Sequence, residues 1–92
     1  MFELEIRLRY PKEHNIAGVW DKIIFALPVY YRKVNHDYLR NEFHNNNSVK
    51  IKLGESEDVI KGVLYKLSFA RFNNKPVFDL IPRKLEYAIY KK

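Results

Sequence analysis

The three histidines are the residues of this chain that could serve as metal ligands or general bases. His36 and His44 are eight positions apart, a separation of roughly 80° around an α-helix. No HxxxH or HExxH spacing accompanies them or His14, and the chain contains no cysteine. We therefore expect surface or capping histidines and no metal site.

The acidic, glycine and serine residues also lack a catalytic spacing. Glu3 and Glu5 are two positions apart on the polar face of a predicted strand, where neighbouring cations can pair with them. The three glycines are isolated, so no phosphate-binding loop is expected, and no GxSxG motif surrounds a serine. The sequence predicts no catalytic residues, no cofactor and no enzymatic activity.

The basic residues are unevenly distributed. Residues 1–60 carry nine basic and nine acidic residues, whereas residues 61–92 carry eight basic and two acidic ones, so the net charge of +6 arises in the last third. Lys and Arg neutralise phosphates, and aromatic rings stack on unpaired bases. The predicted partner is RNA or single-stranded DNA, or a protein that handles nucleic acid. The predicted binding residues are Tyr30, Tyr31, Arg32, Lys33, Lys66, Arg71, Lys75, Arg83, Lys84, Tyr87 and Tyr90.

The first half of the chain contains the elements that must support this surface. Apolar and charged residues alternate over residues 2–10, which is typical of a half-buried strand. The helical spacing of apolar residues over 16–27 predicts a helix that is capped by Asn15 and ended by Pro28. A second helix is predicted over about residues 36–45.

In the second half of the chain, apolar residues again recur at every second position. Strands are predicted over 49–53, over 63–69, where Val63, Tyr65, Leu67 and Phe69 share a face, and over 77–81. A last strand is predicted over 85–90, although Leu85, Ala88 and Ile89 would also suit a short helix. Asn73 to Pro76 predict a hairpin turn between two of these strands.

Together these elements predict one compact domain over residues 1–92 in the order β-α-α-β-β-β-β. This order favours an α+β fold, a two-layer sandwich in which two helices cover one face of an antiparallel sheet. We expect the Trp20 stripe to cover a sheet face formed by Leu4, Ile6, Leu67 and Phe69. The opposite face should be open to water or to a partner.

Cysteine usage and hydropathy predict the compartment. The chain has no cysteine, and no stretch approaches the roughly 20 apolar residues of a membrane span. The N-terminal segment alternates where a signal peptide would be continuously apolar. We expect a cytoplasmic protein without a membrane partner.

One enzymatic alternative comes from the predicted order of elements, which resembles that of toxin ribonucleases of the RelE type. The resemblance implies RNA cleavage by scattered basic and aromatic side chains, and it covers topology, not a residue motif. In this chain the residues for electrostatic stabilisation of cleavage would be Lys50, Lys52, Arg71, Arg83 and Tyr87.

A third hypothesis is an interaction protein, such as a phage or mobile-element accessory factor that inhibits a host nuclease, toxin or defence complex by direct binding. Aromatic and arginine side chains are the usual anchors of such surfaces. Here the anchors would be Tyr30, Tyr31, Arg32, Tyr87 and Tyr90. An exposed C-terminal strand edge would also allow a homodimer.

Overall fold

The computed structural model describes residues 2–53 and 57–84. In chain order the elements are β1 (Phe2–Leu8), a 3-10 turn (Pro11–Glu13), α1 (Ile16–Ala26), α2 (Val29–Asn46), β2 (Ser48–Leu53), α3 (Glu57–Ser68), β3 (Arg71–Phe72), β4 (Lys75–Pro76) and β5 (Phe78–Lys84). The predicted α+β class, with an antiparallel sheet and helices, is confirmed. Apart from α3, the order of elements is the predicted β-α-α-β-β-β-β.

Over residues 2–53 and 57–84, the main sheet has three antiparallel strands in the order β2-β1-β5. Because side chains alternate along a strand, β1 buries Leu4, Ile6 and Leu8 on one face, while Arg7 on the other face is exposed. The helices cover the apolar face: α2 packs on β2, and α3 contacts β1 and β5. The structure is therefore a two-layer sandwich over its described residues.

Helix α1 follows the prediction closely. Its N-terminus is capped by Asn15, whose Oδ1 accepts a hydrogen bond from the Gly18 N–H at 3.4 Å, and it ends before Pro28. The predicted stripe contributes Trp20, Ile23 and other buried residues to the same core as Leu4 and Ile6.

Helix α2 is longer than predicted. It begins directly after Pro28, not at His36, and it extends through Asn46. Proline has a fixed φ and suits the position before or at the first helical turn. Asn47 adopts a left-handed φ of 55° and ends the helix, a conformation that asparagine tolerates. The segment Tyr30–Lys33, predicted as a connection, is therefore helical.

The strand predicted over residues 63–69 is wrong, because these residues belong largely to helix α3. Val63 and Leu67 are buried together with Ile60, at the i, i+3 and i+7 positions of one helical face. Phe69, predicted to face the core, is 67% exposed. Glu57 and Asp58 occupy the first turn of the helix, where they complement its dipole.

The predicted hairpin turn is present at Asn73 and Asn74, although the strands it joins, β3 and β4, have two residues each. Both asparagines have positive φ, 52° and 64°, as a two-residue type I′ turn requires. The predicted returning strand corresponds to β5, which continues through Pro82 at the edge of the sheet. The strand predicted over 85–90 lies outside the described residues.

Candidate functional site

The hairpin packs against the segment that follows β1. The His14 ring lies edge-on to the Phe72 ring, with centroids 5.2 Å apart. Val77, which follows the hairpin, accepts a hydrogen bond from the backbone N–H of Arg9 at 3.0 Å. Two segments that are distant in the sequence thus form one surface. We call this surface, residues 9–14 and 71–76, the hairpin end.

Positive charge is concentrated at the hairpin end. Its two segments contain a single acidic residue, Glu13, and four basic residues, Arg9, Lys12, Arg71 and Lys75. Arg9 is neutralised by Asp79, with 3.2 Å between Nε and Oδ1. Lys12, Arg71 and Lys75 are exposed. This end can therefore attract an anionic partner.

Aromatic rings lie among these cations. The Tyr10 ring has the Arg9 guanidinium 5.5 Å from its centroid and the Lys75 ammonium 5.3 Å from it. Tyr10 also lines a surface hollow of about 580 Å³ together with Pro11 and Lys12. Phe72 is exposed despite its contact with His14. Cations and aromatic faces in one place are the combination that binds phosphates and unpaired bases.

A second feature is a groove between α1 and α3, which we call the aromatic groove. Its volume is about 410 Å³, and it is lined by Lys22, Phe25, Ala26, Lys66, Leu67, Phe69 and Ala70. Among the residues that the structure describes, the lining includes two lysines and no acidic residue. Leu67 is buried in the core, whereas the rings of Phe25 and Phe69 are 68% and 67% exposed.

The rings of the groove are held by neighbouring side chains. The Arg32 guanidinium lies 5.9 Å from the Phe25 centroid, and its Nε donates a hydrogen bond to the Leu27 carbonyl at 3.0 Å. Phe69 and Tyr65 pack edge-to-face with centroids 4.8 Å apart. These contacts limit the orientations that the exposed rings can adopt.

Arg83, another predicted binding residue, lies on the polar face of the sheet. Its guanidinium nitrogens are 3.8 Å from Glu3 and 3.7 Å from Glu5. Glu5 is only 7% exposed, and the hydrogen bond from Arg7, 2.8 Å long, lowers the pKa of its carboxyl group. Arg83 therefore has two carboxylates beside it, and these also face Arg7, Lys50 and Lys52.

Tyr31 lies beside the free edge of β2. Its hydroxyl accepts a hydrogen bond from the Lys52 N–H at 3.2 Å, and it lines a surface hollow with Tyr38 and Glu42. The hydrogen bond with Glu42 raises the pKa of Tyr38. Tyr31 thus satisfies a backbone group that an edge strand would otherwise expose.

The predicted binding residues occupy several places in the fold. Arg71 and Lys75 lie together at the hairpin end, while Lys66 lines the aromatic groove and Arg32 lies against it. Tyr31 lies at the β2 edge and Arg83 on the polar sheet face. The remaining predicted residues are Tyr30 and Lys33 in α2, Lys84 at the end of β5, and Tyr87 and Tyr90, which lie outside the described residues.

Sequence reasoning missed the residues that complete both surfaces. Arg9 and Lys12 were not predicted at the hairpin end, because acidic residues elsewhere in the first 60 positions cancel their charge in a segment-wide count, and Tyr10 was assigned to the alternation of the first strand. Phe25 carried a usable signal: it falls outside the apolar stripe of α1 and is therefore an aromatic residue on the polar side of a helix.

The residues proposed for RNA cleavage are divided between two parts of the fold. Lys50, Lys52 and Arg83 share the polar face of the main sheet, where the register places them beside Glu3 and Glu5. Arg71 lies in the separate β3-β4 hairpin, and Tyr87 is outside the described residues. The element order behind this resemblance also changes, because α3 replaces a predicted strand.

Within residues 2–53 and 57–84, no three His, Asp or Glu side chains are grouped so that they could hold a metal ion. None of the helices in this part of the chain has the length and apolar character that a membrane crossing requires. Comparison with protein-family models, curated proteins and solved structures finds no significant match to this chain.

Proposed function

We propose that the protein binds nucleic acid, RNA or single-stranded DNA, through the hairpin end. The observation that carries the proposal is the grouping of Lys12, Arg71 and Lys75 around Tyr10 and Phe72. Phosphate neutralisation by such cations supplies most of the affinity of sequence-independent binding. Nearby rings then offer stacking surfaces for bases.

The position of the acidic residues supports the same surface. Asp79 pairs with Arg9, and Glu3 and Glu5 lie on the polar sheet face beside Arg83. Acidic Glu57 and Asp58 belong to the first turn of α3, whereas Lys66 lies in its last turn. Glu3 and Glu5 therefore lie between the lysines of β2 and Arg83 on the sheet face, whereas Lys12, Arg71 and Lys75 are exposed at the hairpin end.

The hairpin end is also suited to binding because it is a small, locally fixed unit. Arg71 Nη2 donates a hydrogen bond to the Asn74 carbonyl at 2.8 Å, and Val77 N–H donates to the Ala70 carbonyl at 3.0 Å, which closes the base of the hairpin. Cations on an ordered hairpin lose less conformational entropy on binding than cations on a disordered tail.

The test is a binding measurement with charge-matched variants. A fluorescent oligouridine of about 12 nucleotides is titrated with the wild-type protein, with Lys12→Ala/Lys75→Ala and with Lys50→Ala/Lys61→Ala. Lys61 pairs with Glu57, and Lys50 lies beside Glu5 on the sheet face. We expect weaker binding only for the first pair, and equal losses for both pairs would reject the hairpin end as the interface.

A further inference from the structure

We propose that the aromatic groove receives unpaired bases, so that the protein selects single-stranded nucleic acid over duplex. This inference rests on the proposed function, because it assigns the hairpin end to the phosphates and the groove to the bases of the same strand. It differs from that function in the residues it uses, which are those of α1 and α3 and not those of the hairpin.

The groove and the hairpin end adjoin along the chain. Phe69 and Ala70 line the groove, and Arg71 follows them directly in the chain. Because a chain spans at most about 3.6 Å per residue, the backbones of Phe69 and Arg71 are within about 7 Å of each other. A strand whose phosphates lie at the hairpin end can therefore place a neighbouring base in the groove.

The two phenylalanines of the groove are exposed, so their rings are not part of the hydrophobic core. Phe25 and Phe69 are 68% and 67% exposed, while their helical neighbours Ile24 and Leu67 are buried. Their rings line one groove from helix α1 and from the residue that follows α3. The groove volume of about 410 Å³ is within the range of about 300 to 1,000 Å³ that is usual for small-ligand sites. A single nucleobase is smaller than most such ligands.

The charges of the groove favour a nucleic-acid strand as its occupant. Lys22 and Lys66 line it, the Arg32 guanidinium lies over the Phe25 ring, and the described part of the lining contains no acidic residue. An aliphatic segment of a protein would gain nothing from these cations, whereas a base with its phosphate uses both the rings and the ammonium groups.

The geometry also explains the expected preference for single strands. Bases inside a duplex are stacked on each other, so a ring on a helix surface cannot insert without unstacking them. Bases of a single strand can turn outward and stack on exposed side chains. Stacking on flat rings is tolerant of sequence, so we expect little discrimination between bases.

The experiment measures the affinity of the full chain for an oligouridine of about 12 nucleotides and for the same strand annealed to oligoadenine. The variants are Phe25→Ala and Phe69→Ala, with Phe25→Tyr as the conservative change. Tyr38→Ala is the matched control, because Tyr38 is also a helical aromatic residue, is 68% exposed and lies away from the groove at the β2 edge.

We expect each alanine variant to lose about 5- to 140-fold in affinity for the single strand, which corresponds to one lost stacking contact. Tyr38→Ala should bind like the wild type, Phe25→Tyr should bind more tightly than Phe25→Ala because it keeps an aromatic ring, and circular dichroism should show all variants folded. The duplex should bind more weakly than the single strand and should not respond to Phe25→Ala. An oligothymidine strand is measured in parallel, and comparison of its affinity with that of oligouridine shows whether the protein binds DNA or RNA more tightly.

Two results would overturn the inference, and they differ from the failure of the proposed function. If the alanine variants bind oligouridine as tightly as the wild type, the groove does not receive bases, although the hairpin end still binds phosphates. If the protein binds duplex and single strand with equal affinity, the predicted preference for single strands is wrong. If the wild-type protein binds no nucleic acid at all, the proposed function fails and the inference fails with it.

Discussion

Removal of two cations from the hairpin end should change the salt dependence of binding by a predictable amount. The perturbation is Lys12→Ala/Lys75→Ala. Both side chains are exposed, and the contact that Lys75 makes is with the Tyr10 ring, 5.3 Å from its centroid. The double variant should therefore remain folded while it loses two charges from the interface.

The magnitude follows from counterion release. On a single strand, each neutralised phosphate contributes about −0.7 to the slope of log affinity against log salt, so two lost contacts reduce the slope by about 1.4. Between about 50 and about 200 mM salt, the wild-type affinity should therefore fall about sevenfold more than the affinity of the variant.

Fluorescence anisotropy at several salt concentrations measures both slopes. Lys50→Ala/Lys61→Ala removes the same total charge from the sheet face and from the Glu57 pair of α3, and its slope should equal that of the wild type. If the wild type and Lys12→Ala/Lys75→Ala give parallel slopes, the two lysines neutralise no phosphate and the predicted phosphate contacts at the hairpin end are wrong.

The other predictions concern the scaffold and its ionisable groups. Phe43 is fully buried against Trp20, so Phe43→Ala should lower the free energy of unfolding by about 3 to 5 kcal/mol in urea titrations; a loss below about 1 kcal/mol would contradict its place in the core. The pKa of Glu5 is lowered by the hydrogen bond from Arg7. The ionised carboxylate therefore stabilises the fold at pH values above the ordinary glutamate pKa of about 4.3. This contribution is lost as the pH falls through the lowered pKa. Glu5→Gln should make the unfolding free energy less dependent on pH below about 4.5, and an unchanged acid transition would oppose this assignment. Tyr31→Phe should cost about 0.5 to 1.5 kcal/mol, because the hydroxyl that accepts the Lys52 N–H is removed; thermal melting checks this value, and a variant as stable as the wild type would show that the contact contributes nothing.

Periodicity in the sequence was sufficient to predict the elements in which one pattern dominates. In β1 the alternation is strict, and in α1 the apolar stripe has a single period with a capping residue, Asn15, before it. In the segment of α3, the spacing of apolar residues fits both a strand and a helix. Val63, Tyr65, Leu67 and Phe69 alternate as in a strand, whereas Ile60, Val63 and Leu67 fit a helical face, and the acidic first turn was the signal that favours the helix.

The candidate site was predictable only in part, because it is assembled from segments that are distant in the sequence. Arg71 and Lys75 were identified from local composition. Arg9 and Lys12 join them through the hydrogen bond between Arg9 and Val77 and through the packing of His14 on Phe72. No local sequence pattern predicts a contact between such distant segments. Arg83 shows the converse: its position in a basic segment suggested a free cation, but the strand register places it beside Glu3 and Glu5.

Amide chemical-shift mapping with a short oligouridine would locate the nucleic-acid interface on the protein surface. We predict that the largest shifts occur at residues 9–14 and 71–76 and continue into the aromatic groove around Phe25 and Phe69, with small shifts on β2. Shifts concentrated on the polar sheet face around Lys50 and Lys52, or no shifts at saturating oligonucleotide, would contradict it.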